Sequence, residues 1–205
     1  MKRIASIILF LAVTVIDSFS NNADSLLAVH AEGLTKHRHF EADFTQTRYM
    51  SLFKKPLVST GTISFSYPDK ILFHYKTPFE SVILLIGNTM KRYYREKDTW
   101  AEQPSLEIVA KAITKEIMRF LKGKFTENMP FIVHVKKERP RTFSLVPKNE
   151  MAKTVFSAIE VTFAESCEYI EKIKLIEQTG DYILVTHKKP SFAPIPDSRF
   201  IFSHE

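Results

Sequence analysis

The chain has 205 residues, 25% of them charged and 44% hydrophobic, with a formal charge of +6. That length suits one domain able to bury a core without staples, and the composition excludes an intrinsically disordered chain. One cysteine, Cys167, excludes an internal disulfide, and the sequence holds no glycine-rich phosphate loop, zinc-protease helix or paired-cysteine metal motif.

Residues 1–20 differ from the rest. Lys2 and Arg3 precede an almost unbroken apolar run from Ile4 to Ile16, and Ser18-Phe19-Ser20 places small residues where a signal peptidase reads. The pattern predicts a secretory leader cut after Ser20. An uncleaved anchor is the competing reading, and the run is short for a membrane span. Loss of Lys2, Arg3 and Asp17 with the leader lowers the charge by one, to +5. No other apolar stretch nears a spanning length, so residues 21–205 are expected to form one soluble domain. A basic exported protein meets anionic head groups or acidic proteins rather than nucleic acid.

Residues 22–36 are predicted to form a helix capped by Asp24, with Leu26, Leu27, Ala31 and Leu34 on one stripe. The period then falls to two. "HFEADFTQTRYM" alternates Phe40, Ala42 and Phe44 with Glu41, Asp43 and Thr45, the pattern of a half-buried strand. His37, His39 and Glu41 would share the polar side, better read as a solvent-facing edge than as a metal ladder. Further strands are expected near 58–67, 70–77, 80–86 and 89–95, broken at Pro68-Asp69, Thr77-Pro78 and Gly87-Asn88. Ile63, Phe65, Tyr67, Ile71, Phe73 and Tyr75 fall on one face of two of them, with Phe40 and Phe44 beside.

"PSLEIVAKAITKEIMRFLKGK" then predicts a helix from Pro104 to about Gly123. Leu106, Val109, Ala110, Ile113, Ile117, Phe120 and Leu121 make an apolar stripe that must cover something apolar, and the open side of the sheet is the expected partner. Strands resume near 131–137, 142–147, 155–163, 169–177, 181–188 and 199–203. About eleven antiparallel strands result, a mainly β (α+β) chain whose sheet is expected to curl. A concave face so formed either fills with side chains or encloses a ligand. No cluster of acid, base and nucleophile is visible, so an enzyme is not expected and no cofactor or metal is implied.

"FEADFTQTRY" followed by "GTISFSYPDKILFHYKTPFESVILLIGNT" resembles the periplasmic outer-membrane lipoprotein carrier family, the LolA-like proteins. The likeness rests on Phe40, Ala42, Phe44 and Gln46 of the first strand, then on Gly61, Pro68, Pro78, Glu80, Ser81 and Gly87. "FSLVPK" and the closing "RFIF" extend it. The resemblance implies an incomplete β-barrel with a helical lid over an apolar cavity. It implies a monomeric carrier that shields lipoprotein acyl chains between the inner and outer membranes, loaded by an inner-membrane transporter and unloaded to an outer-membrane acceptor. Phe40, Phe44, Ile63, Phe65, Tyr67, Ile71, Phe73 and Tyr75 would line the cavity, and Val109, Ile113, Ile117 and Phe120 would close it. The family commonly has Arg before the turn proline, where it can tie down the lid; here the residue is Tyr67. The alternative is a non-enzymatic envelope interaction or sensor domain on the same fold, with a packed cavity.

Overall fold

The computed structural model describes residues 23–87, 89–97, 99–103 and 130–202. The leader, the predicted helix with Val109, Ile113, Ile117 and Phe120, and residue 203 lie outside the described residues. Helix α1 spans 23–34. Its N-terminal turn contains Asp24, which suits the positive end of the helix dipole instead of capping it. Six strands follow: β1 (His39–Tyr49), β2 (Leu57–Ser66), β3 (Lys70–Thr77), β4 (Ser81–Ile86), β5 (Thr89–Glu96) and β6 (Thr99–Gln103). Then come β7 (Phe131–Glu138), β8 (Arg141–Pro147), the short helix α2 (Glu150–Val155), β9 (Ala158–Phe163), β10 (Ile170–Ile176) and β11 (Tyr182–Ser191).

All eleven strands join one antiparallel sheet in the order β6-β5-β4-β3-β2-β1-β11-β10-β9-β8-β7. β6 and β7 are its two edges and do not pair, so the sheet is an incomplete β-barrel. It consists of two meanders of consecutive strands, β1–β6 and β7–β11, zipped together by β1 and β11. Short turns between sequence neighbours account for the meanders.

Side chains alternate between two faces, and the ladder register carries each face from strand to strand. On the inner face, α1 covers the β7–β10 side. Leu27 and Ala31 pack with Phe131, Val133, Phe143, Leu145, Val161 and Phe163, and Phe143 and Phe163 are fully buried. His30 sits edge-on to both rings at 5.6 and 5.5 Å, its Nδ1 donating to Leu26 O at 2.8 Å. Gly33 brings the helix against the turn after β9: a β-carbon there would stand 2.2 Å from Cys167 O. Full burial of such side chains stabilises by about 1.5–3 kcal/mol each.

The outer face of β3–β5 is apolar too. Leu72, Val82, Leu84 and Tyr93 form a second layer, covered by the chain after β11. This segment crosses the sheet with Ile195, Phe200 and Phe202 facing it. Phe202 lies 4.7 Å from Tyr93 and 4.8 Å from Trp100 between ring centroids. Two ion pairs accompany it, Lys70 Nζ to Asp197 Oδ1 at 2.7 Å and Arg199 Nη2 to Glu41 Oε2 at 3.4 Å. The expectation of a strand over 199–203 is therefore corrected. Asp197–Phe200 is a 3₁₀ turn, and Ile201 and Phe202 pair with no strand. The count of eleven stands because β6 takes its place.

Candidate functional site

The inner face of the other meander carries the residues of interest. β1 presents Phe40, Ala42 and Phe44; β2 presents Ile63 and Phe65, and β3 Ile71, Phe73 and Tyr75. The ladders place Phe40 opposite Phe65, Ala42 opposite Ile63, Phe65 opposite Ile71 and Ile63 opposite Phe73. Cross-strand neighbours of this kind are the contacts that hold a sheet face together. The face continues through Ile83 and Leu85 of β4, Met90 of β5 and Val185 of β11. Sequence reading did not single out these four as site residues, although face alternation along the strands expected near 80–86, 89–95 and 181–188 would have placed them.

The cluster is graded in depth. Ala42, Phe44, Ile63, Phe65, Ile71 and Leu85 are buried. Phe40, Phe73, Tyr75, Ile83, Met90 and Val185 are only half-buried, so the apolar layer above the sheet keeps accessible surface. Phe44 is edge-to-face with Phe73 at 6.2 Å and Tyr75 at 5.0 Å, the geometry aromatic quadrupoles favour.

Polar groups enter at two points. The Tyr75 hydroxyl donates to Gln46 Oε1 at 3.0 Å. Burial pushes the Tyr75 phenol above its ordinary pKa, partly opposed by the Arg92 charge. Arg92 in turn stacks on Tyr94, 4.5 Å from the ring centroid. The second point is His187 of β11, opposite Phe44 and edge-on to Phe40 at 6.0 Å. Its Nδ1 donates to Ile170 O at 2.8 Å, and burial holds its pKa below the usual imidazole value, the hydrogen bond acting the other way.

Tyr67 lies elsewhere. β2 ends at Ser66, and Tyr67 is an exposed turn residue outside the cluster. The Arg38 guanidinium sits 5.1 Å from its ring centroid, and Tyr67 N–H donates to Arg38 O at 2.8 Å. An arginine therefore stands beside this turn, supplied by the chain before β1. His37, His39 and Glu41 form no metal ladder. His37 precedes the strand, stacks on Phe192 at 3.9 Å and meets Glu168 at 3.4 Å, while Glu41 accepts from Ser64 Oγ at 2.6 Å. Among the described residues no three metal-ligating side chains converge.

The sequence model of the outer membrane lipoprotein carrier protein LolA matches residues 35–203. The chain belongs to the LolA family. Its match begins just after α1 and includes every strand of the incomplete barrel. Solved structures are similar to the chain at low sequence identity. An uncharacterized conserved protein from Thermus thermophilus is 6% identical, with 86% of this chain and 91% of that one covered at a TM-score of 0.51. A DUF1329 family protein from Desulfovibrio piger is 9% identical, covering 89% and 97% at 0.50. A LolA superfamily protein from Nitrosomonas europaea is 6% identical, covering 88% and 98% at 0.44. No curated protein matches the chain.

Proposed function

We propose that this protein is a periplasmic carrier that shields the acyl chains of a lipoprotein, or of another lipid, against the inner face of β1–β5 on the way from inner to outer membrane. The observation that carries this reading is the grading of the inner face. One half is filled by α1, while the β1–β5 half keeps Phe40, Phe73, Tyr75, Ile83 and Met90 partly accessible above a buried apolar floor. An acyl chain laid on that floor gains roughly 0.8 kcal/mol per buried CH₂, so about 13 kcal/mol gross for some sixteen carbons. Aromatic, aliphatic and thioether contacts ask for no fixed hydrogen bonds, which suits a cargo that must also leave. The chemistry needs no acid, base or nucleophile.

The same reading includes removal of residues 1–20 after export, closure of the site by the helix that the sequence predicts over 104–123, through Val109, Ile113, Ile117 and Phe120, and a monomer that takes cargo from an inner-membrane transporter and gives it to an outer-membrane acceptor. Among the described residues no helix is long and apolar enough to cross a membrane. The test is mass spectrometry on organic extracts of protein purified from its own envelope, together with intact mass. Bound acylated lipid and an N-terminus at or near Asn21 are expected. Protein without lipid that also fails to take up a fluorescent fatty acid would overturn the carrier reading. An intact Met1 chain would overturn the export step.

A further inference from the structure

The β1–β2 connection, residues 50–56, presents apolar side chains away from the protein. Leu52 is 86% exposed and Phe53 49%. The loop is folded: Phe53 N–H donates to Met50 O and Ser51 N–H to Asp181 Oδ1, both at 2.9 Å. A held turn that points Leu52 and Phe53 outward differs from scattered apolar surface residues, which need no explanation. The neighbouring β3–β4 turn lies at the same end of the sheet, since Thr60 pairs with Thr77. It adds Phe79, 79% exposed, and Leu57 at the start of β2 is exposed between them.

Cations flank these residues in sequence. Lys54, Lys55 and Lys76 are exposed, and no carboxylate pairs with them among the described residues. Three acids at this end are already engaged, while exposed Glu96 at the end of β5 carries no ion pair among the described residues. Glu80 is held by His74 and Arg95, Glu177 by Arg48 and Asp181 by the Ser51 amide. Apolar groups projecting between unpaired lysines match a bilayer surface: the side chains enter the head-group boundary and the ammonium groups meet lipid phosphates.

We propose that the tip formed by Leu52, Phe53 and Phe79, flanked by Lys54, Lys55 and Lys76, docks this protein on the surface of an anionic phospholipid membrane. The docking is peripheral and reversible, since the tip is a few side chains wide. It is separate from any cargo site on the inner face and does not depend on one.

Flotation of the full-length mature protein with phosphatidylglycerol-containing vesicles and with pure phosphatidylcholine vesicles tests this. Binding to the anionic vesicles, weakened by salt, is expected. Leu52→Ser with Phe53→Ser should lower it by about tenfold or more, and Lys54→Gln with Lys55→Gln by a similar factor. Both changes lie on exposed positions and should leave the melting temperature in place; Leu52→Ser alone serves if the double variant does not. Phe73→Glu, on the inner face, should still float. Absence of flotation, or equal flotation of the tip variants, overturns the proposal. So does light scattering that shows a dimer which Leu52→Ser and Phe53→Ser disperse, because the tip would then join copies of this chain.

Discussion

Phe44 lies across Gly61, with the ring so close that a β-carbon on Gly61 would stand 2.8 Å from Phe44 Cζ and 2.1 Å from His74 O. The ladder register shifts at this point: Thr60 faces Thr77 and Gly61 faces Tyr75, leaving Lys76 as the extra residue of a bulge. Gly61→Ala should cost about 3 kcal/mol in urea unfolding, because backbone and ring must both move. Adding Phe44→Leu should not restore stability, since the closer contact is with backbone. Full recovery in that double variant would show that the ring alone requires the glycine.

Phe73 separates a carrier surface from a packed core. It is half-buried and edge-to-face with buried Phe44. Phe73→Glu should abolish uptake of a fluorescent fatty acid while the sheet still unfolds cooperatively. A charge in a closed core would have neither partner nor water and would unfold the domain. Unchanged uptake in a folded variant would place the greasy ligand elsewhere.

His187 gives a pH dependence with a definite sign. Its folded pKa lies below the ordinary 6.5 because burial disfavours the charged ring. The unfolded chain therefore takes up a proton first as pH falls. The contribution is complete above 6.5 and is lost as pH falls from there toward the lowered folded value. His187→Gln should show a shallower loss of stability over that window in melts at matched pH. Parallel profiles for variant and wild type would remove His187 from the account.

The segment over the outer face should hold by packing and not by charge. Phe200 is buried against Leu72, Val82, Leu84 and Tyr93, so Phe200→Ala should cost about 3–4 kcal/mol. Asp197 is largely exposed, and Asp197→Asn should cost less than about 1 kcal/mol despite its 2.7 Å contact with Lys70. Denaturant midpoints compare the two directly, and similar losses would show that the ion pair anchors the crossing.

The inner face was readable because period two holds along each strand. Eight residues from Phe40 to Tyr75 meet in one cluster for that reason. Tyr67 does not, because the strand stops at Ser66 and the period stops with it. "RFIF" misled for a related reason. Phe200 and Phe202 both face the sheet from a segment that lies flat on it, and such a segment keeps a strand-like alternation without any ladder. β6 is short, with Trp100 its one large apolar side chain, so alternation had little to register. α2 has six residues, too few for a helical period. The outer apolar layer was written in the unbroken run "SVILLI", which signals cover on both faces. What supplies that cover is a tertiary fact that strand patterning does not contain.

β1 and β11 are the first and last of the described strands, and among the described residues their ladder alone joins strands that are not consecutive. Each described hairpin can close as it is made, but the free side of β1 waits for β11. Until Tyr182–Ser191 arrives, the early leaf carries a bare edge beside Phe40 and Phe44, a template for pairing with other chains. Closing that contact carries the largest loop-closure cost among the described ladders. A nascent chain halted before β11 is thus an aggregation hazard, and its safe passage depends on whatever holds it until the last strand is free.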